Sequence, residues 1–142
     1  MKRLAGIDFG LVRIGIALSD ERQLFASPFK TLIAEKQLKK TAELLALELS
    51  KHAPLEAIVI GLPLLLNGKE GPMALKVKEF ALLLKEFIET PIVFWDERLT
   101  SLQVDRSMKE GGLNRKKRSN IMDQMAAASI LQNYLDYKKQ SN

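Results

Sequence analysis

The stretch LAGIDFGLVRIGIALSD, residues 4–20, decides the fold class. Residues 4–9 and 14–18 are two apolar, strand-like runs broken by Gly10 and the polar Arg13, which predicts a β-hairpin. Asp8 lies at the end of the first run, between Ile7 and Gly10. A carboxylate set among buried strand residues is costly unless its charge is compensated. Two readings are open at this point. Asp8 caps a turn, or it is a metal-binding carboxylate at a strand end, where ligand sites in α/β sheets cluster.

A third run, residues 24–33, contains Pro28, which cannot donate to a central ladder, so this strand is read as an edge or as starting late. Leu38, Ala42, Leu45 and Leu49 recur at helical spacing and predict a helix over residues 37–52, ended by Pro54. Residues 57–61 (AIVIG) are a short continuous apolar run, the pattern of a strand buried on both faces in a parallel sheet. Pro72 suits the first turn of a second helix, whose apolar stripe is Ala74, Val77, Ala81, Leu84 and Ile88. Residues 92–95 form another short strand, followed at once by DERLTS. A helix over residues 101–109 is expected, then the basic stretch NRKKRS, then a last helix over residues 120–137. Strands alternating with helices imply a mixed sheet with helices packed on it, in one domain spanning residues 1–142.

Composition narrows the function classes. The 142 residues are 46% hydrophobic and 27% charged, the balance of a globular protein. Cysteine is absent and His52 is the lone histidine, which excludes disulfides, a thiolate nucleophile and thiolate or polyhistidine zinc sites. His52, near a helix end before Pro54, is read as a solvated cap. No secretory signal and no membrane-length apolar run is visible, and we read the chain as cytoplasmic with no membrane partner. Lys and Arg number 22 against 17 Asp and Glu, a net charge of +5 that permits a polyanionic partner without demanding one.

Two further acidic positions sit against apolar sequence. Asp96 and Glu97 directly follow the strand 92–95, and alternation sends neighbouring side chains to opposite faces, so one of the two faces Asp8. Spacing does not choose between them. Asp123 shares a helix face with Ala127, Ile130 and Leu131. A place near the helix start favours an acid through the helix dipole, but does not explain alignment with the apolar face. Ala126, Ala127 and Ala128 are small enough to let this helix approach the sheet closely. Three converging carboxylates repel one another, and Mg²⁺ or Mn²⁺ would resolve that conflict, since hard cations prefer oxygen ligands. Two such ions, about 3.5–4 Å apart, clamp the attacking and leaving oxygens of a phosphoryl displacement.

The basic run Arg115, Lys116, Lys117 and Arg118, together with Arg13 and Arg98, provides candidate phosphate contacts. The alternative for the run is a solvated surface, and for each arginine a pairing with its acidic neighbour.

The segments IDFGLVRIGIALSD, IVIGLPLLLNGKEGP, WDERLTS and MDQMAAASILQNYL occur in the order seen in the YqgF (RuvX) family, which the chain resembles over nearly its whole length. The resemblance implies a ribonuclease H-like α/β fold, a five-stranded mixed sheet flanked by helices. It implies a metal-dependent nuclease associated with maturation of the 5′ end of 16S ribosomal RNA, or alternatively a Holliday junction resolvase. It matches the family's first-strand acid to Asp8, the acid of its DERLT motif to Glu97 and the acid of its last helix to Asp123. It also implies a monomer or weak homodimer, with precursor ribosomal RNA favoured over branched DNA as partner. Leu11 and Val12 stand where the family often has a polar pair in DxGTKRIG, and Leu65 and Asn67 depart from GLPLNMDG. These departures motivate a competing reading, a nucleic-acid-binding module without catalysis. A further alternative is an ATP binder of the actin or sugar-kinase type, which also opens on DxG but generally needs two such domains.

Overall fold

In a computed structural model of the chain, residues 2–99 and 115–141 are described. The expected hairpin pairs β1 (Arg3–Phe9) with β2 (Arg13–Ser19) antiparallel, Asp8 opposite Gly15. β3 (Ala26–Ile33) starts two residues later than the apolar run suggested and forms the sheet edge beyond β2. Pro28 sits opposite Ala17, where the register shifts in a bulge, one of the few places a sheet accepts proline. Helix α1 (Leu38–Ser50) leads through the loop at Pro54 into β4 (Leu55–Leu62), parallel to β1. Helix α2 (Pro72–Leu84) opens on its proline and ends before Ile88, which still packs against the core. β5 (Ile92–Asp96) pairs parallel with β4, and Glu97–Leu99 form one 3₁₀ turn. The sheet order is β3-β2-β1-β4-β5.

The helix expected at 101–109 lies outside the described residues. The last helix, α3, is longer than its apolar pattern showed and spans Arg115–Gln140. Two readings change with it. The basic run 115–118 does not precede the helix but forms its first described turn. Asp123 lies about two turns inside, so the dipole, which acts within the first turn, does not account for it.

Strand alternation divides the core in two. Ala5, Ile7 and Phe9 of β1, Ile14, Ile16 and Leu18 of β2, and Ile58 and Ile60 of β4 pack with Leu45, Leu49, Val77 and Phe80 of α1 and α2. Leu4, Ala17, Ala57 and Val59 face the other way, against Ala127, Ile130, Leu131 and Leu135 of α3. The helix crosses this second face at backbone contact. A Cβ at Gly6 would lie 2.8 Å from the Ala127 carbonyl oxygen, and one at Gly15 would overlap the carbonyl of Asp123. Gly6 in β1 and Gly15 in β2 thus let α3 settle onto the sheet.

Candidate active site

The residues that alternate toward α3 bring the acids together. On β1, Leu4 and Gly6 face α3, so Asp8 does too. On β5, Val93 and Trp95 belong to the α3 side and Phe94 to the other. The period therefore sends Glu97 toward Asp8 and Asp96 away from it. Asp96 instead accepts the Arg98 guanidinium, with Nη2 to Oδ2 at 2.6 Å and Nε to Oδ1 at 3.0 Å. This ion pair holds the Asp96 carboxyl below the usual carboxylate range.

β1 and β5 are not neighbours, since β4 runs between them. Strands lie about 4.8 Å apart, so Asp8 and Glu97 must reach over β4 to meet. The residue beneath that reach is Gly61. A Cβ there would come within 2.9 Å of Glu97 Oε1 and 2.6 Å of Ile130 Cδ1. The missing side chain lets the two carboxyls hydrogen-bond to each other. Burial, that hydrogen bond and the charges of Glu97 and Asp123 together push the Asp8 pKa up to about 9. A carboxyl–carboxyl hydrogen bond requires a proton between them, so without a cation Asp8 carries one at neutral pH.

Asp123 reaches the same corner from α3, its backbone anchored over Gly15. Its Oδ2 accepts from Arg13 Nε at 2.7 Å, and the Arg13 and Asp123 side chains are 35% and 21% exposed, so the pair is mostly shielded. Of the two readings of Arg13, phosphate ligand or partner of a neighbouring acid, the structure displays the second. For Arg98 it likewise displays the pair with Asp96, and adds a contact from Nη1 to the Leu66 carbonyl at 3.3 Å that ties down the loop after β4. Lys117 and Arg118 stand at the start of α3, one to two turns before Asp123; Arg115 and Lys116 share that turn by backbone.

The donor set at this corner is three carboxylates, which suits a hard divalent cation and no soft one. Among the described residues, no three acidic or histidine side chains are drawn close enough to hold a metal ion as they stand. Asp8 and Glu97 are hydrogen-bonded to each other, and Asp123 is held by Arg13.

The family-divergent positions lie around the site. Leu11 and Val12, in the β1–β2 turn, are 60% and 64% exposed, and Leu66, beside Leu65, is 97% exposed. Asn67 folds back to accept from Lys69 N at 2.9 Å. His52 is not the solvated cap expected of it. Its ring packs edge-on against Phe29, with centroids 4.7 Å apart, and its Nε2 is sealed from solvent. Gly61, the last residue of the apolar run 57–61, is inside β4 and shapes the acid site, a role its place in the run did not assign. An isolated glycine closing a β-branched run was the available signal, since it marks a close approach.

The "Putative pre-16S rRNA nuclease" of Protochlamydia amoebophila is 47% identical over 139 residues, covering 94% of this chain and 93% of its own. The protein of the same name from Endomicrobium trichonymphae is 45% identical over 137 residues, covering 96% of each chain. In fold, the chain is similar to Thermus thermophilus RuvC in complex with a Holliday junction substrate, with a TM-score of 0.58, 16% identity and coverage of 98% and 96%. It is also similar to the fowlpox virus Holliday junction resolvase, with a TM-score of 0.56, 12% identity and coverage of 95% and 99%. At those identities the likeness establishes the resolvase-type, ribonuclease H-like fold alone. The sequence profile of RuvX, described as Holliday junction resolvase, matches residues 2–137, and the chain belongs to that family.

Proposed function

We propose that this protein is a divalent-metal-dependent nuclease that hydrolyses phosphodiester bonds in structured nucleic acid, acting in 5′-end maturation of precursor 16S ribosomal RNA. The observation that carries the reading is the meeting of Asp8 and Glu97 over Gly61, with Asp123 reaching the same corner. The nearly full-length relatives named as pre-16S rRNA nucleases favour RNA. The family description favours a branched DNA junction as the second substrate class.

Asp8, Glu97 and Asp123 would hold Mg²⁺ or Mn²⁺. When bound, such an ion lowers the pKa of a coordinated water and stabilises charge on the phosphoryl oxygens. Asp8, which interacts with both Glu97 and Asp123, would hold the ion as its carboxylate. Glu97 keeps its position because Gly61 leaves it room. Asp123 is steered by a helix backbone that cannot slide without striking Gly15. Arg13, if released from Asp123, would be free to meet a substrate phosphate, and Lys117 and Arg118 in the first described turn of α3 would add positive charge one to two turns before Asp123. Among the described residues no helix is long and apolar enough to cross a membrane. A cytoplasmic monomer or weak dimer is the form we assign.

The test compares wild type with Asp8→Asn on a precursor 16S fragment and on a four-way DNA junction, with Mg²⁺, Mn²⁺ or EDTA. Metal-dependent cutting of the RNA by wild type, lost in Asp8→Asn, is expected. Equal cutting by the two proteins would remove the acids from the chemistry. Salt-sensitive binding with no cutting by either would leave the non-catalytic reading.

A further inference from the structure

At the other end of the sheet from the acids lies a cavity of about 300 Å³, lined by Lys2, Arg3, Glu21, Lys51 and His52 among others. It is bounded by the start of β1, the β2–β3 turn and the chain just after α1. Arg3 is five residues before Asp8 on the same strand, so the cavity is about 17 Å from the acid site. None of its residues takes part in the chemistry proposed above.

Its charge is one-sided. Glu48 is shared by Lys30, at 2.8 Å, and Lys51, at 2.9 Å, so it neutralises only one of them. Glu56, which Lys138 holds at 2.6 Å, also acts on Lys2, so that in and around the cavity Lys2, Arg3, Lys30, Lys51 and Lys138 stand against Glu21, Glu48 and Glu56, an excess of two positive charges. The carbonyl end of α1 would oppose an anion here. It is closed by its own backbone: Lys51, His52 and Ala53 donate to Glu48, Leu49 and Ser50. His52 lines the cavity with its ring held on Phe29, and its Nε2 has no hydrogen-bond partner among the described residues. A buried polar atom left unmet is rare and asks for a partner.

We infer that this cavity is a phosphate-binding site, in which Arg3, Lys2 and Lys51 hold the anion and a turn of the His52 ring completes its hydrogen bonds. The phosphate is supplied either by substrate backbone running past the acid site or by a free nucleotide. The inference leans on the nuclease reading only in naming RNA as one source.

The experiment uses Asp8→Asn protein in EDTA, so that nothing is cut and the fate of the nuclease reading does not enter. Inorganic pyrophosphate, uridine 5′-monophosphate and an RNA hairpin are titrated separately while the His52 imidazole and the Lys51 and Arg3 amides are followed by NMR. Saturable shifts of these resonances are expected. Changing Lys2→Gln and Arg3→Gln together should weaken binding about tenfold and lower the salt slope for RNA by about one to two. Arg3→Lys should restore part of the affinity. Shifts with RNA but not the nucleotide assign the site to the nucleic-acid backbone, and the reverse assigns it to a free nucleotide. No shift with any probe, or equal shifts in the double variant, overturns the proposal.

Discussion

Arg13 Nε lies 2.7 Å from Asp123 Oδ2, joining the start of β2 to the third turn of α3 across the corner where Asp8 hydrogen-bonds to Glu97. The guanidinium and the Asp8 proton together offset two of the three carboxylate charges in the absence of metal. Removing the arginine leaves Asp123 facing its like charges. Arg13→Gln should therefore destabilise the metal-free protein by about 1 kcal/mol, the value of a partly exposed ion pair. It should also bind Mn²⁺ about tenfold more tightly, because a competing cation is gone. Unfolding in EDTA and titration calorimetry with Mn²⁺ read the two effects. Unchanged or weaker Mn²⁺ affinity would mean that Arg13 does not compete for the site.

The raised Asp8 pKa sets a pH dependence of definite sign. Its value in the unfolded chain is about 3.8 and in the folded chain about 9, so between these values the folded state holds more protons. Stability from this group must then fall as pH rises from about 4 to about 9. Asn at position 8 donates to Glu97 as protonated Asp8 does, without ionising. In EDTA at pH 8, Asp8→Asn should melt about 3 °C or more above wild type, and at pH 4 the two should coincide. A variant that melts lower at pH 8 contradicts the shared proton.

Gly61→Ala places a methyl group against Glu97 Oε1 and Ile130 Cδ1. Overpacking of this kind costs about 1–3 kcal/mol. The larger effect should be on cleavage, at least tenfold in kcat, since a shift of about 1 Å in a site residue costs up to about a hundredfold. Single-turnover rates beside thermal melts separate the two. A folded variant with wild-type rate would show that Glu97 needs no such clearance.

Gly15→Ala meets backbone rather than a side chain, the carbonyl of Asp123. Helix and sheet cannot both keep their places, so the loss should reach or exceed about 3 kcal/mol, at the upper end for overpacking. Denaturant unfolding gives the number. A loss below about 1 kcal/mol would mean that α3 is free to lift off the sheet.

Much of this architecture is legible in the linear pattern because it depends on local period. Alternation in residues 4–9 and 14–18 marks the hairpin, and the 3.6-residue recurrence of Leu38, Ala42, Leu45 and Leu49 marks α1. Pro28 marks an edge for the same local reason, its missing donor. α3 extends further toward the N-terminus than its pattern predicts because residues 115–119 carry no apolar stripe. Helical backbone continues there without a buried face to announce it. The resemblance of four ordered segments named the three acids, but two competing assignments remained open at Asp96 and Glu97 when spacing alone was used.

That choice belongs to the tertiary structure. The residue types and their periods specify which elements form, that Asp8 stands at a strand end, and that soft-metal and thiol chemistry is excluded. Whether acids distant along the chain meet depends on strand order and on which side chain is missing between them. Gly61 acquires its role only once β4 is placed between β1 and β5, and Arg13 meets Asp123 only once α3 lies on Gly15. The period of a strand is a property of neighbours in sequence. The proton that Asp8 holds against Glu97 is a property of neighbours in space, set by burial and by charges that no local window contains.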